Sequence, residues 1–174
     1  MTLLRIKLLI LSPYPPDSGG LSTYTKRFVD HLKTRKDVAV RIFPLNSLLD
    51  IRKLFRLGNP NIVRLEFNIP AYGLNTIPLF FIILVHRLYS PIKFVVNYHE
   101  VSRETEMLGI LGRVFYWIFS SLFRHIYVHT EQAKKILVTK CWIKPIKITK
   151  IAHGTTTLSG YSHQPSETRK KYGL

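Results

Sequence analysis

The sequence holds a single cysteine, Cys141, so neither an intrachain disulfide nor a thiolate metal cluster can be built, and a reducing compartment is expected. Acidic residues are scarce: 10 Asp and Glu stand against 26 Lys and Arg, a formal net charge of +16. That balance predicts attraction to polyanions, whether nucleic acid, anionic lipid headgroups or phosphorylated substrates. The basic residues are spread over several predicted helices with no homogeneous run, so a generally solvated basic surface is the plain alternative. Long hydrophobic runs are missing too. Ile77 to Val85 and Val114 to Phe123 are each well below the ~20 residues a bilayer crossing needs, and neither is expected to span. The opening, Met1 to Ser12, is apolar but interrupted by Arg5 and Lys7 and lacks a small-residue cleavage site, which argues against a signal peptide. A cytoplasmic location follows as the expectation.

Hydrophobic residues make up 46% of the 174, enough for one core but not for two full domains. Leu3 to Leu11 is an apolar run of strand length, ending in a Ser-Pro-Tyr-Pro-Pro-Asp-Ser-Gly-Gly loop. Leu21, Tyr24, Phe28, Val29 and Leu32 then recur at three- and four-residue spacing, predicting a helix from about Gly20 to Arg35. The alternation continues. Strands are predicted at Val38–Phe43, Ile62–Phe67, Lys93–Tyr98, Ile126–Val128 and Ile146–Ile151; helices at Leu48–Leu57, Tyr72–Tyr89, Glu104–Phe123 and Glu131–Thr139. Apolar strands separated by helices predict an α/β fold, a Rossmann-like doubly wound parallel sheet with helices on both faces. After Gly154 the chain turns polar and aperiodic. The expected organisation is one domain over 1–154, then a linker over 155–174 that reads as the opening of a second domain.

In such a sheet, ligands bind beyond the carboxyl ends of the strands. Three loops are placed there. Gly19-Gly20 opens a helix, where glycines allow close approach and free N–H groups suit a phosphate; a simple turn is the alternative. The pair matches neither G-x-G-x-x-G nor the P-loop, which disfavours a dinucleotide site or an NTPase. His99 stands at the tip of the strand KFVVNY, placed to bond a sugar hydroxyl or phosphate, or to serve as a hydrogen-bonded structural histidine. His99-Glu100-Val101-Ser102-Arg103 is not HExxH, so a zinc protease is excluded and no metal site is expected. Thr130 can cap the helix that begins at Glu131, and His153-Gly154 ends the last strand.

Together these pieces resemble, in order and spacing, the N-terminal domain of retaining GT-B glycosyltransferases of family four. The resemblance rests on the opening strand, Pro13 to Tyr24, His99, HTEQAKKIL from His129 to Leu137, and Ile151 to Thr155. It implies that the fuller enzyme moves a sugar from a nucleotide diphosphate sugar to an acceptor held mainly by this half. It further implies that Gly19 and Gly20 lie against the donor phosphates, that His99 is the active-site histidine, and that Thr130 and His153 contact acceptor or sugar. No cofactor is implied beyond the donor substrate. The family's two glutamates eight positions apart, carried on its second domain, do not occur here, so independent catalysis is not expected. His153 stands where many relatives have Asn. The basic charge, with Phe115, Trp117, Phe119 and Phe123 beside Arg113 and Arg124, suits a peripheral contact with the inner face of an anionic membrane carrying a lipid-linked acceptor; core packing of those aromatics is the alternative. The competing function is a non-catalytic basic α/β module binding nucleic acid or another polyanion. It is disfavoured because the chain shows no RNA-binding aromatic signature, helix-turn-helix pattern or zinc spacing.

Overall fold

The computed structural model describes residues 5–15, 19–45, 50 and 59–152. The expected helix at 48–57, His153 and the 155–174 segment lie outside the described residues, Asp50 excepted. Six strands form one sheet: β1 (Ile6–Ser12), β2 (Val38–Pro44), β3 (Ile62–Phe67), β4 (Lys93–Tyr98), β5 (His125–Val128) and β6 (Ile148–Lys150). Their order is β2-β1-β3-β4-β5-β6 and every ladder is parallel. The described helices are α1 (Gly20–Lys33), α2 (Ile69–Tyr72), α3 (Thr76–Tyr89), α4 (Val101–Met107), α5 (Gly109–Ser121) and α6 (Glu131–Thr139). The α/β doubly wound expectation holds.

Strand alternation gives the sheet two chemically different faces. On one, Val63, Leu65 and Phe67 of β3 and Phe94, Val96 and Tyr98 of β4 are buried in a single core with Leu79, Ile82, Tyr116 and Phe119 from the helices. Burying a side chain such as Phe119 stabilises the fold by about 2–3 kcal/mol. On the other face, β3 presents Arg64 and Glu66 and β4 presents Asn97, and α1 covers them in part, with Phe28 beneath the Arg64 guanidinium at 4.2 Å. Ser12 at the end of β1 and Thr25 of α1 share a buried hydroxyl–hydroxyl bond of 2.7 Å that fixes the helix over the strand.

Three expected elements are corrected. The helix expected over Glu104–Phe123 is two, α4 and α5, because Gly109 takes φ +55, a left-handed turn that an L side chain resists. The helix expected from Tyr72 is likewise interrupted at Gly73, φ +49, so that α3 begins at Thr76. The last strand is shorter at its start, because Pro145–Lys147 forms a 3-10 turn in which the Lys147 N–H bonds the Lys144 carbonyl at 3.0 Å.

Candidate functional site

The strand order reverses at β1: β2 lies on one side of it and β3 on the other, so the carboxyl ends of β1 and β3 diverge toward different crossovers. The polar row of β3 and β4 lies buried beside this point, with the partly exposed His99 at its end. Glu66, fully buried, accepts from Arg64 Nε at 2.5 Å through Oε1, and from Asn97 Nδ2 at 2.7 Å through Oε2. The same Oε2 lies 2.8 Å from His99 Nε2. Cross-strand register produces this: Glu66 and Asn97 are direct ladder partners, and the His99 N–H bonds the Phe67 carbonyl at 3.1 Å, extending the ladder one step.

Donor accounting orders the network. A carboxylate only accepts, so His99 Nε2 carries the proton it gives to Glu66. Asn97 Nδ2 lies 3.1 Å from both His99 Nε2 and His129 Nε2; with the first already a donor, its second hydrogen goes to His129 Nε2, which accepts. The two imidazoles sit 4.9 Å apart, centre to centre, and Tyr24 of α1 closes over both, edge-on, at 5.1 Å from His99 and 5.7 Å from His129. Burial pushes the Glu66 carboxyl up, but the Arg64 charge and the bonds from His99 and Asn97 outweigh it and hold the group down at about 2. Burial and the Glu66 charge together raise the Tyr24 phenol. Among the described residues, two buried atoms of the cluster, Arg64 Nη2 and Asn97 Oδ1, make no close hydrogen bond, although both side chains act on the Tyr24 phenol and lower it against the effect of burial. A polar ligand gains most where buried groups are left so.

The expected site residues fall out as follows. His99 is in the network, its side chain 10% exposed. Gly19 and Gly20 start α1 one turn before Tyr24, on the same side of the sheet as His99. Among the described residues no side chain caps that helix, its first turn holds no acid, and a Cβ on either glycine would meet nothing within 4 Å. Packing among the described residues therefore does not require glycine there. Thr130 is exposed and accepts from the Ala133 N–H at 3.0 Å, so its hydroxyl oxygen caps α6. It adjoins His129 without being in the network. His153 lies outside the described residues. Among the described residues, a surface hollow on β1–β2 and another between α5 and the loop before β6 include no residue of the cluster.

Sequence reasoning passed over Arg64, Glu66, Asn97 and Tyr24. The signal was present in Ile62-Val63-Arg64-Leu65-Glu66-Phe67, where two opposite charges at i and i+2 interrupt a strand of a sheet that should be apolar on both faces. Asn97, two residues before His99, repeats it on the next strand. Compared with known proteins, the chain matches no family model and no curated protein.

Proposed function

We propose that this chain is the acceptor-side domain of a GT-B glycosyltransferase, which moves a sugar from a nucleotide diphosphate sugar to a hydroxyl-bearing acceptor. The observation that carries the reading is the convergence of α1 on His99: the helix that Gly19 and Gly20 open places Tyr24 5.1 Å from the His99 ring at the topological switch of the sheet. A helix start with free N–H groups suits a diphosphate, and a histidine fixed by a buried carboxylate suits a sugar hydroxyl.

In this reading Glu66 sets the tautomer and plane of His99, and Arg64 holds Glu66 ionised. His99 then orients the reacting groups or carries a proton during transfer. A second domain supplies the remaining donor contacts, the facing carboxylates and basic groups among them. Helix dipoles and basic side chains stabilise the departing diphosphate. The acceptor is held against the polar face between α1 and β5.

The test uses the full-length protein with a panel of nucleotide diphosphate sugars, measuring sugar transfer and donor hydrolysis. His99→Ala should lower kcat by about two to four orders of magnitude, the range of positioned acid–base groups, while the fold is retained. A variant at wild-type turnover sinks the assignment of His99. Salt-sensitive binding to random oligonucleotides without response to any sugar nucleotide would make the basic polyanion-binding module the better account.

A further inference from the structure

The sheet face opposite α1 ends in a surface that the described chain leaves uncovered. α3 buries Leu79, Ile82 and Ile83 yet leaves Ile77, Phe81, Val85 and Leu88 exposed, a three- and four-residue spacing that forms one outer stripe. α5 repeats the pattern, with Tyr116 and Phe119 inside and Ile110, Val114, Trp117 and Ile118 outside. The two helices are neighbours, Phe80 of α3 stacking on Phe119 of α5 at 6.2 Å. The α5 stripe leads into a groove of ≈ 500 Å³ at the amino edge of the sheet, where Trp117, Trp142 and Ile146 share the lining with Arg124, Lys144 and Lys147.

Apolar surface of this extent marks a docking site, and charge identifies the occupant. No Asp or Glu occurs from Phe67 to His99 or from Met107 to Thr130, so both stripes lie on segments without an acid. Arg87 belongs to the same rim, since its charge, after burial, lowers the Lys147 ammonium. A second copy of this face would oppose like charges, whereas an anionic lipid surface complements them. The tryptophans fit an interface, being 53% and 58% exposed at Trp117 and Trp142. Trp142 also holds φ +54, a left-handed backbone rare for a bulky residue, so its exposed position is kept against local strain.

We propose that the outer sides of α3 and α5, with the Trp117–Trp142 groove, form a docking surface for an anionic bilayer on which the domain lies without crossing it. Ile69–Tyr89 is long and apolar enough to cross by composition, but Gly73 turns the chain within it and its inner side is part of the core. The 14 residues of α3 reach about 21 Å, short of a hydrocarbon core of about 30 Å.

The experiment mixes the full chain with vesicles of phosphatidylcholine alone and of equimolar phosphatidylcholine and phosphatidylglycerol. Co-sedimentation and tryptophan emission are read together, because the chain's two tryptophans both line the groove. Co-sedimentation with the anionic vesicles and a blue-shifted emission are expected. The double variant Phe81→Glu, Trp117→Glu should lower the partition coefficient tenfold or more, on the order expected from two large side chains. His31→Glu, an exposed change on α1, should alter it by less than about twofold. Trp142→Gly suits the left-handed backbone; it should keep the thermal midpoint and weaken partition, which separates lipid contact from folding.

Failure to co-sediment at low salt overturns the proposal. So does sedimentation with unshifted emission, or equal loss in His31→Glu, either of which assigns the contact to other basic residues. Concentration-dependent dimers with emission already blue without lipid would give the face to a second copy. The inference does not rest on sugar transfer, because the vesicles carry no sugar substrate; its failure leaves that reading unchanged.

Discussion

Glu66 is a carboxylate buried in a sheet, and its neighbours decide whether that position is tolerable. Removing the Arg64 charge while leaving Glu66 in place strips a buried ion of its principal partner, a change that costs about 3–5 kcal/mol in comparable pairs. Arg64→Leu is therefore expected to lower the midpoint of chemical denaturation sharply, and Arg64→Leu with Glu66→Leu to recover much of the loss. The acid response follows from the same group. Its carboxyl lies at about 2 when folded against an ordinary value of 4.5, so the unfolded chain takes up the proton first. The contribution is complete above pH 4.5 and is lost as pH falls toward 2, a span worth on the order of 3 kcal/mol. Glu104, raised by burial even though it accepts from the Tyr116 hydroxyl and the Ile69 N–H, acts in the opposite sense. Comparing urea unfolding of wild type and Glu66→Gln across pH 2 to 5 isolates the Glu66 share, and an unchanged acid limb would contradict it. The Arg64–Glu66 pair lay within one strand, but its cross-strand partners were not legible residue by residue, since Glu66 meets His99 and His129 meets Asn97 only after the strands have paired.

Helices and strands were more legible than their ends. Val63, Leu65 and Phe67, alternating with Arg64 and Glu66, announce a strand, and the stripe through Tyr24, Phe28 and Val29 announces α1. The break between α4 and α5 escaped notice because Gly109 sits inside a continuous apolar pattern, and periodicity cannot report a single reversed φ. The same glycine supplies a clean test. A Cβ there would touch nothing within 4 Å, so Gly109→Ala charges only the backbone, at about 1–2 kcal/mol. Thermal unfolding should show that loss, and an unaltered midpoint would mean that the turn tolerates a side chain. The aromatics read as a membrane-facing set divide by the same helical geometry. Phe119 and Phe123 are buried and Phe115 packs against the core, while Trp117 alone of the four is exposed, beside Ile110, Val114 and Ile118, which the aromatic reading did not single out.

At the scale of the molecule, the order of elements sufficed to expect a parallel doubly wound sheet, because crossovers through helices leave few other arrangements. The switch at β1, and with it the meeting of α1 and His99, required the strand order itself. That order also governs time. All five ladders among the described residues are parallel, so no two neighbouring strands form a hairpin able to fold alone, and the β1–β3 pair brings Leu8 beside Ile62. Loop closure across that separation precedes most of the reward, and refolding from urea is expected in milliseconds to seconds rather than microseconds; a microsecond phase carrying the full amplitude would contradict it. Among the described residues, the outer stripes of α3 and α5 are part of no strand ladder and stay exposed after that slow step. On the proposed docking role, a chain leaving the ribosome offers that side to lipid or to other chains before its polar cluster has formed, and abundance in the cell becomes a race between sheet closure and capture.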